Sequence, residues 1–426
     1  MKILIKNGHV IDPSQKIDGK FDILIENKTI TKVRKAGAIK ARDNFKVIDA
    51  TGLYVLPGLV DMHVHLREPG FAHKETIETG TKAAIRGGVT TVCCMPNTSP
   101  VNDNPGIAEY IIQKAQKEGV CTVYPVGAIS KGQEGKELAE LGLMMEEGCV
   151  AFSDDGHPVD SPMLMRRALE YSRSFDLCII SHAEEPSLSG QGVMNEGLLA
   201  RSLGLEGIPN AAEDTMVFRD VALAELTKGK LHIAHVSTEG AVRIIRDAKA
   251  RGINVTAETC PHYFSITEDE VAGFNTNAKV NPPLRTEADR LAIRQGIKDG
   301  TLDVIVTDHA PHHLNEKGRE FDAAPPGISG LETSLSLSLA LVREKVIDMS
   351  TLVRMMAQRP AEILGLDKGT LKEGADADVV LVDVEEEYKV DPEEFFSKGK
   401  NTPFEGWQLR GRAAVTISGG KVHEWR

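Results

Sequence analysis

Between about Val55 and Leu366 the chain passes through eight nearly continuous apolar runs, each followed by a stretch with helical period. The runs are VLPGLVDMHVH, VTTVCCMPN, CTVYPVGAI, CVAFSDD, LCIISHA, LHIAHVS, INVTAETCPHYF and LDVIVTDHA. Continuous rather than alternating polarity marks strands buried on both faces, as in a parallel sheet covered by its crossover helices. Segments such as PGIAEYIIQKAQKEG, with Pro near its start and Gly at its end, and EGAVRIIRDAKARG supply those helices. Eight β-then-α units over about 300 residues predict an α/β fold of the (β/α)8 TIM-barrel type. A doubly wound open sheet is the alternative. Against it, no G-x-G-x-x-G follows any strand, and the polar residues described below occupy too many strand ends for a single crevice.

The flanks have a different texture. KILIKNGHVI, FDILIENKTITKV and FKVIDATGLYVL at one end, and GADADVVLVDV and AAVTISGGKVHEW at the other, alternate in polarity between Gly, Asp and Asn turns. The simplest arrangement is one small β-sandwich built from both chain ends, residues 1–54 and 367–426, around a barrel of residues 55–366. The N-terminal MKILIKNGHVID reads as a strand and not a signal peptide, and no apolar run approaches a membrane span. With 50 Lys+Arg against 62 Asp+Glu the net charge is −12, which argues against nucleic acid and anionic membrane as partners. The six cysteines lie in or beside apolar runs with no C-x-x-C pair, as buried reduced thiols of a cytoplasmic protein would.

Metal-competent residues gather at the strand ends. The first run ends in Asp61-Met62-His63-Val64-His65, where i and i+2 share a face and both imidazoles can point into one barrel mouth. Run four ends in Asp154-Asp155, run five in His182, run six in His235 and run eight in Asp308-His309. Alternation puts His232 on the face opposite His235, and His262 reads as packing or support. His9, His73, His157 and His423 read as ordinary surface or hydrogen-bonded histidines. Ionisable groups at five strand ends would repel or stay unsatisfied without a cation between them, and imidazole plus carboxylate suits zinc or a similar divalent ion. Such an ion lowers the pKa of bound water to about 7, giving a nucleophilic hydroxide, and two ions about 3.5–4 Å apart could share it. Asp308 can accept the proton and pass it to a leaving amide nitrogen. That is hydrolysis of an amide-like bond, or its reverse.

The H-x-H after strand one, the histidines on strands five and six and the aspartate ending strand eight resemble the amidohydrolase superfamily. Within it, Asp61-Met62-His63-Val64-His65-Leu66-Arg67-Glu68-Pro69-Gly70, Cys94-Met95-Pro96-Asn97-Thr98 and Thr307-Asp308-His309-Ala310-Pro311-His312 resemble the bacterial, aspartate-bridged dihydroorotases. The resemblance spans essentially the whole chain, and its most specific string is H-L-R-x-P-G. It implies reversible cyclisation of carbamoyl aspartate to dihydroorotate in pyrimidine biosynthesis, with two zinc ions per subunit. By that resemblance His63 and His65 bind one zinc with Asp155 and Asp308, and Asp155 bridges to a second held by His182 and His235. Asp308 is then ligand and proton shuttle, and the substrate contacts are His65, Arg67, Asn97, Asn281, His312 and the Pro326–Gly327 backbone.

Arg67 suits a substrate carboxylate because its planar fork matches one, with Asn97 adding an amide donor, and two residues past His65 on the same pleat it shares the metal's mouth. Many superfamily members bridge their metals with a carboxylated lysine. Here the strand-four end offers Ser153-Asp154-Asp155 and no lysine, and Lys131, just past strand three, is the nearest candidate for that modified lysine. Residues alone do not choose between Asp154 and Asp155, nor between one metal and two; the resemblance favours Asp155. The segment 310–327, starting at the catalytic strand end, reads as a mobile lid carrying His312. A homo-oligomer is expected, with an aspartate transcarbamoylase as a candidate partner. The rivals are a dihydropyrimidinase or allantoinase, disfavoured by Arg67 and Asn97, and a silent structural homologue, disfavoured because every ligand position is filled.

Overall fold

Eight parallel strands form a closed barrel in the computed structural model, which describes residues 2–425. In chain order they are Leu59–Val64, Val89–Cys94, Thr122–Pro125, Ala151–Ser153, Cys178–Ser181, Lys230–Ile233, Val255–Thr259 and Val304–Ile305. Each pairs with its sequence neighbour. Bridges from Gly127 to Phe152 and from Val64 to His309 close the ring, so no sheet edge is left for a doubly wound arrangement. Helices cover the outside. Pro105–Glu118 starts with Asn104 capping Gly106 and Ile107 and ends at Gly119, while Glu239–Ala250 is capped by Thr238.

The run read as one strand over 55–65 is two. Tyr54–Pro57 pairs with Lys2–Asp12 and Val379–Lys389, and only after Gly58 does Leu59–Val64 enter the barrel beside Val89–Cys94. An unbroken apolar run cannot reveal such a break, because both halves are equally buried.

Strands from the two chain ends form a single hydrogen-bonded sheet, ordered Lys421–Glu424, Gln408–Ser418, Val379–Lys389, Tyr54–Pro57, Lys2–Asp12, Ile17–Glu26 and Thr29–Lys35. Phe45–Asp49 pairs in addition with Lys2–Asp12. Ile3, Ile5, Ile23 and Ile25 from the first end share one core with Val379, Leu381 and Ile417 from the last. Neither end holds that core alone. All six cysteines are buried and unbridged.

Candidate active site

The polar residues emerge just where the barrel strands stop. His63 lies on the first strand and His65 beyond it; Asp155, His182, His235 and Asp308 follow strands four, five, six and eight, and all six are buried. Asp155 is their hub. Its Oδ1 lies 3.2 Å from His63 Nε2, 3.3 Å from His235 Nε2 and 3.5 Å from His182 Nδ1, and its Oδ2 lies 3.3 Å from His65 Nε2. Two metal-competent triads result, His63–His65–Asp155 and Asp155–His182–His235, sharing that carboxylate. Asp308 Oδ1 stands beside the first triad, 3.1 Å from His65 Nε2 and 3.6 Å from His63 Nε2.

The hydrogen bonds behind the imidazoles say what these atoms await. His63 donates Nδ1–H to Glu258 Oε1 at 2.5 Å, and His65 donates Nδ1–H to Asn97 Oδ1 at 2.8 Å. In the neutral tautomer this leaves the His63 Nε2 lone pair facing carboxylate oxygens, acceptor against acceptor, while His65 Nε2 meets Asp308 Oδ1 at hydrogen-bond distance, 3.1 Å. Accordingly His63 Nε2 and Asp155 Oδ1, though buried and adjacent, make no hydrogen bond, while His182 Nδ1 and His235 Nε2, which also face Asp155, lie 2.8 Å from each other. Ligands on a tetrahedral ion with bonds of about 2.0–2.1 Å stand about 3.3–3.4 Å apart, close to the separations around Asp155. The donor set therefore fits a divalent cation. Protons are the competing occupant: burial alone would push His63 down, but Asp155 and Glu258 hold it well above the ordinary histidine range. Burial would push Asp155 up, yet the surrounding histidines hold it well below the usual carboxylate range.

Several sequence expectations are resolved by position. Asp154 turns away from the hub and accepts from the Ile129 and Ser130 amides at 2.8 and 3.0 Å and from the Ser130 hydroxyl. Lys131 is exposed and pairs with Glu137 at 2.8 Å, so it bridges nothing. His309 is buried but points to Glu75, 3.3 Å away. His262 is buried, edge-on to Tyr263 and pushed down to about 4 by burial, so it is neutral.

Two expectations based on alternation fail. His232 does not face away: its Nε2 lies 3.1 Å from Glu258 Oε2, and the same carboxylate accepts the His235 amide at 3.3 Å. Nor does the pleat extend to Arg67. The strand ends at Val64, and Arg67, His235 and Asp308 have φ of 60°, 33° and 46°. Left-handed backbone at a non-glycine residue costs of order 1–3 kcal/mol and clusters at functional sites, where it re-aims a side chain.

A cavity of about 170 Å³ opens onto Asp155, His182 and Asp308 and is lined further by His65, Arg67, Asn97, Asn281, His312, Pro326 and Gly327. An apolar cavity of about 150 Å³ admits one benzene-sized ring, which sets the scale of the occupant. Because Asn97 Oδ1 is engaged by His65, its amide N–H groups are left for a ligand. Asn281 Oδ1 is buried without a partner. Arg67 is pushed down by burial only to about 10 and stays charged at neutral pH. His312 is held far below the ordinary histidine range, by burial first and then by Arg67, Lys74 and Lys317. Neutral, it donates Nε2–H to Pro326 O at 2.9 Å and presents Nδ1 to Lys74 Nζ at 3.4 Å. The Gly327 amide is already given to Lys279 O at 2.8 Å, so a substrate can use the second lone pair of Pro326 O but not that N–H. Segment 310–327, expected as a mobile lid, carries a short helix, Leu314–Lys317, and contributes His312, Pro326 and Gly327 to the cavity wall.

Glu258 is the residue sequence reading missed. A glutamate inside an apolar strand was the available signal, since a buried carboxylate needs a reason. Burial pushes it up, but His63 and His232 hold it well below the usual range, so it is an anion gripping both rings. Glu258→Gln is expected to weaken metal retention about tenfold to a hundredfold, as loss of such an outer partner does, measured by competition with a chelator. Unchanged retention would reduce Glu258 to packing.

Comparison with known proteins agrees with this geometry. Residues 52–241 match the family described as dihydro-orotase-like and residues 333–423 the amidohydrolase family. The dihydroorotases of Geotalea daltonii and Geobacter metallireducens are 59% and 57% identical, each over 99% of both chains. Among solved structures, the L-hydantoinase (dihydropyrimidinase) of Arthrobacter aurescens superposes with a TM-score of 0.88 at 25% identity, covering 99% of this chain and 95% of that one.

Proposed function

The chain belongs to the dihydroorotase family, and from that premise we propose which of its residues do the work. It is a cyclic amidohydrolase that interconverts N-carbamoyl-L-aspartate and (S)-dihydroorotate, with loss or gain of water, in pyrimidine biosynthesis. Members of the wider amidohydrolase family are metal-dependent, and this chain has the His and Asp groups to bind metal. Our finer reading is two zinc ions per subunit, one held by His63, His65, Asp155 and Asp308 and one by Asp155, His182 and His235. When bound, zinc would lower the pKa of water toward neutrality and polarise the amide oxygen.

The single observation supporting this assignment is that one small cavity joins the Asp155 hub to a cationic, hydrogen-bonding wall. At that wall Arg67 binds the substrate carboxylate with its planar fork, Asn97 adds an amide donor, and Asn281 Oδ1 accepts a ring N–H. His65, held by Asn97, links wall and hub, and neutral His312 completes the wall beside the Pro326 carbonyl. Asp308 takes the proton from the attacking water and delivers it to the departing ring nitrogen; in cyclisation it runs the other way. Burial excludes bulk water from that transfer.

The test is a substrate panel. Turnover of dihydroorotate should exceed that of dihydrouracil and allantoin, which lack its carboxylate beside the ring; the opposite order rejects the assignment in favour of a dihydropyrimidinase or allantoinase. In the same assay Arg67→Met should raise KM for dihydroorotate by about tenfold to a hundredfold, the worth of a charge-assisted pair of about 1.5–3 kcal/mol, without loss of metal. Equal loss of metal would make Arg67 structural. No helix among the described residues is long and apolar enough to cross a membrane. We read the protein as a cytoplasmic homo-oligomer, with aspartate transcarbamoylase as candidate partner; its charge of −12 supports a small-molecule role over nucleic-acid binding.

A further inference from the structure

The strand Val379–Lys389 and the strand Gln408–Ser418 are antiparallel neighbours, yet the chain between them, 390–407, leaves the terminal sheet and crosses to the barrel mouth. Connections longer than about 12–15 residues are uncommon in compact domains and usually functional. At the far point of this excursion Gly399 packs so tightly on the substrate loop that a Cβ would sit 2.4 Å from Pro311 Cβ. Two residues on, Asn401 is buried, with all four hydrogen-bonding positions of its amide filled. Its Nδ2 donates to Ala310 O at 3.0 Å and Gly327 O at 2.9 Å; its Oδ1 accepts from the His312 amide at 2.9 Å and the Ser329 hydroxyl at 3.1 Å. Three of those partners stand at the two ends of segment 310–327, and Ser329 lies just beyond it.

A second fastening works from inside the segment. Lys317 is buried, and its Nζ donates to Pro325 O at 3.0 Å, Gly327 O at 3.2 Å and Lys279 O at 3.4 Å. One buried side-chain nitrogen thus ties the Pro326–Gly327 turn to the stretch leading into Asn281. The turn tolerates little displacement, because Gly327 has φ 148° and a Cβ there would lie 2.5 Å from Ala310 O. Arg67 is tied in as well, its Nε donating to Pro311 O at 3.3 Å. The direction of the guanidinium therefore depends on where this segment sits.

We propose that Asn401, from the C-terminal segment, and Lys317 are positioning residues for the substrate: they clamp segment 310–327 so that His312, Pro326 and Arg67 meet the substrate as a preset wall. Neither lines the cavity. Their effect is preorganisation: loosening the clamp makes binding itself order the wall, and a misplacement of about 1 Å can cost about a hundredfold. The proposal rests on the assignment of His312 and Arg67 to the substrate.

The experiment compares the metal-loaded wild type with Asn401→Ala, Asn401→Asp, Lys317→Met and, as a reference, His312→Ala, recording KM and kcat for dihydroorotate, metal content and Tm. Asn401→Asp is isosteric and turns two donors into acceptors facing carbonyls; Lys317→Met leaves Asn401 and its four bonds in place, so it remains decisive if the Asn401 variants fail to fold. The expected result is KM raised about tenfold or more in both Asn401 variants and in Lys317→Met, with kcat within about threefold of wild type and metal content unchanged. A lowered Tm with unchanged KM would make the residues purely structural and overturn the proposal. So would loss of metal parallel to loss of activity. If His312→Ala raises KM while the clamp variants do not, the clamp is wrong and the substrate wall stands. If His312→Ala also leaves KM unchanged, the wall itself is misassigned and the clamp falls with it.

Discussion

Asp308→Asn is expected to lower kcat for dihydroorotate by about a thousandfold or more while leaving the fold intact. The carboxylate is buried; burial alone would push it up, but His65, His63 and His235 hold it below the usual range, so it stays an anion able to accept a proton. General acid–base catalysis contributes about 10²–10⁴-fold, and an amide at the same place can neither accept nor return the proton. Asparagine keeps the shape, and the side chain's one hydrogen-bonded contact is with His65, so Tm should move little. Steady-state kinetics with circular dichroism and metal content on the same preparation decide the matter. A variant with normal kcat would remove Asp308 from the proton path. One that loses metal in proportion to activity would make it a ligand before a shuttle.

Asp155→Ala should have the largest effect of all, because one carboxylate serves both triads. Metal content per chain is expected to fall by more than half, and turnover by at least about 10⁴-fold, since the Lewis acid that brings the pKa of water from 15.7 to about 7 is lost. Asp154→Asn is the control one residue away. Its carboxylate accepts from two backbone amides and a hydroxyl, so that change should cost stability of about 1–3 kcal/mol and spare the metal. Elemental analysis of both variants gives the answer, and the reverse pattern would exchange the two assignments.

The residues proposed to hold the metal were legible because they break the strand pattern. Imidazoles and carboxylates at the ends of apolar runs cannot be accounted for by packing, and His63, His65, Asp155, His182, His235 and Asp308 do converge. Glu258 carried the same signal, but the apolar run continues to Phe264 and so conceals that the strand ends at Thr259, one residue after it. Asn401 carried none. An asparagine in a polar stretch looks like a turn residue until the chain 91 positions earlier is laid against it.

By itself, then, the amino-acid order determined the barrel, the terminal sheet's strands and the kinds of ligand at the mouth. Periodicity and composition are local properties, and burial reads them directly. Tertiary structure alone decided which of Asp154 and Asp155 turns inward, that His232 and His235 share one carboxylate, and that the run over 55–65 divides between two sheets. It also decided which distant segment holds the substrate loop. Past the last strand hydrogen bond the backbone leaves extended geometry, and at Arg67, His235 and Asp308 it turns left-handed. There the neighbours, not the pleat, aim the side chain.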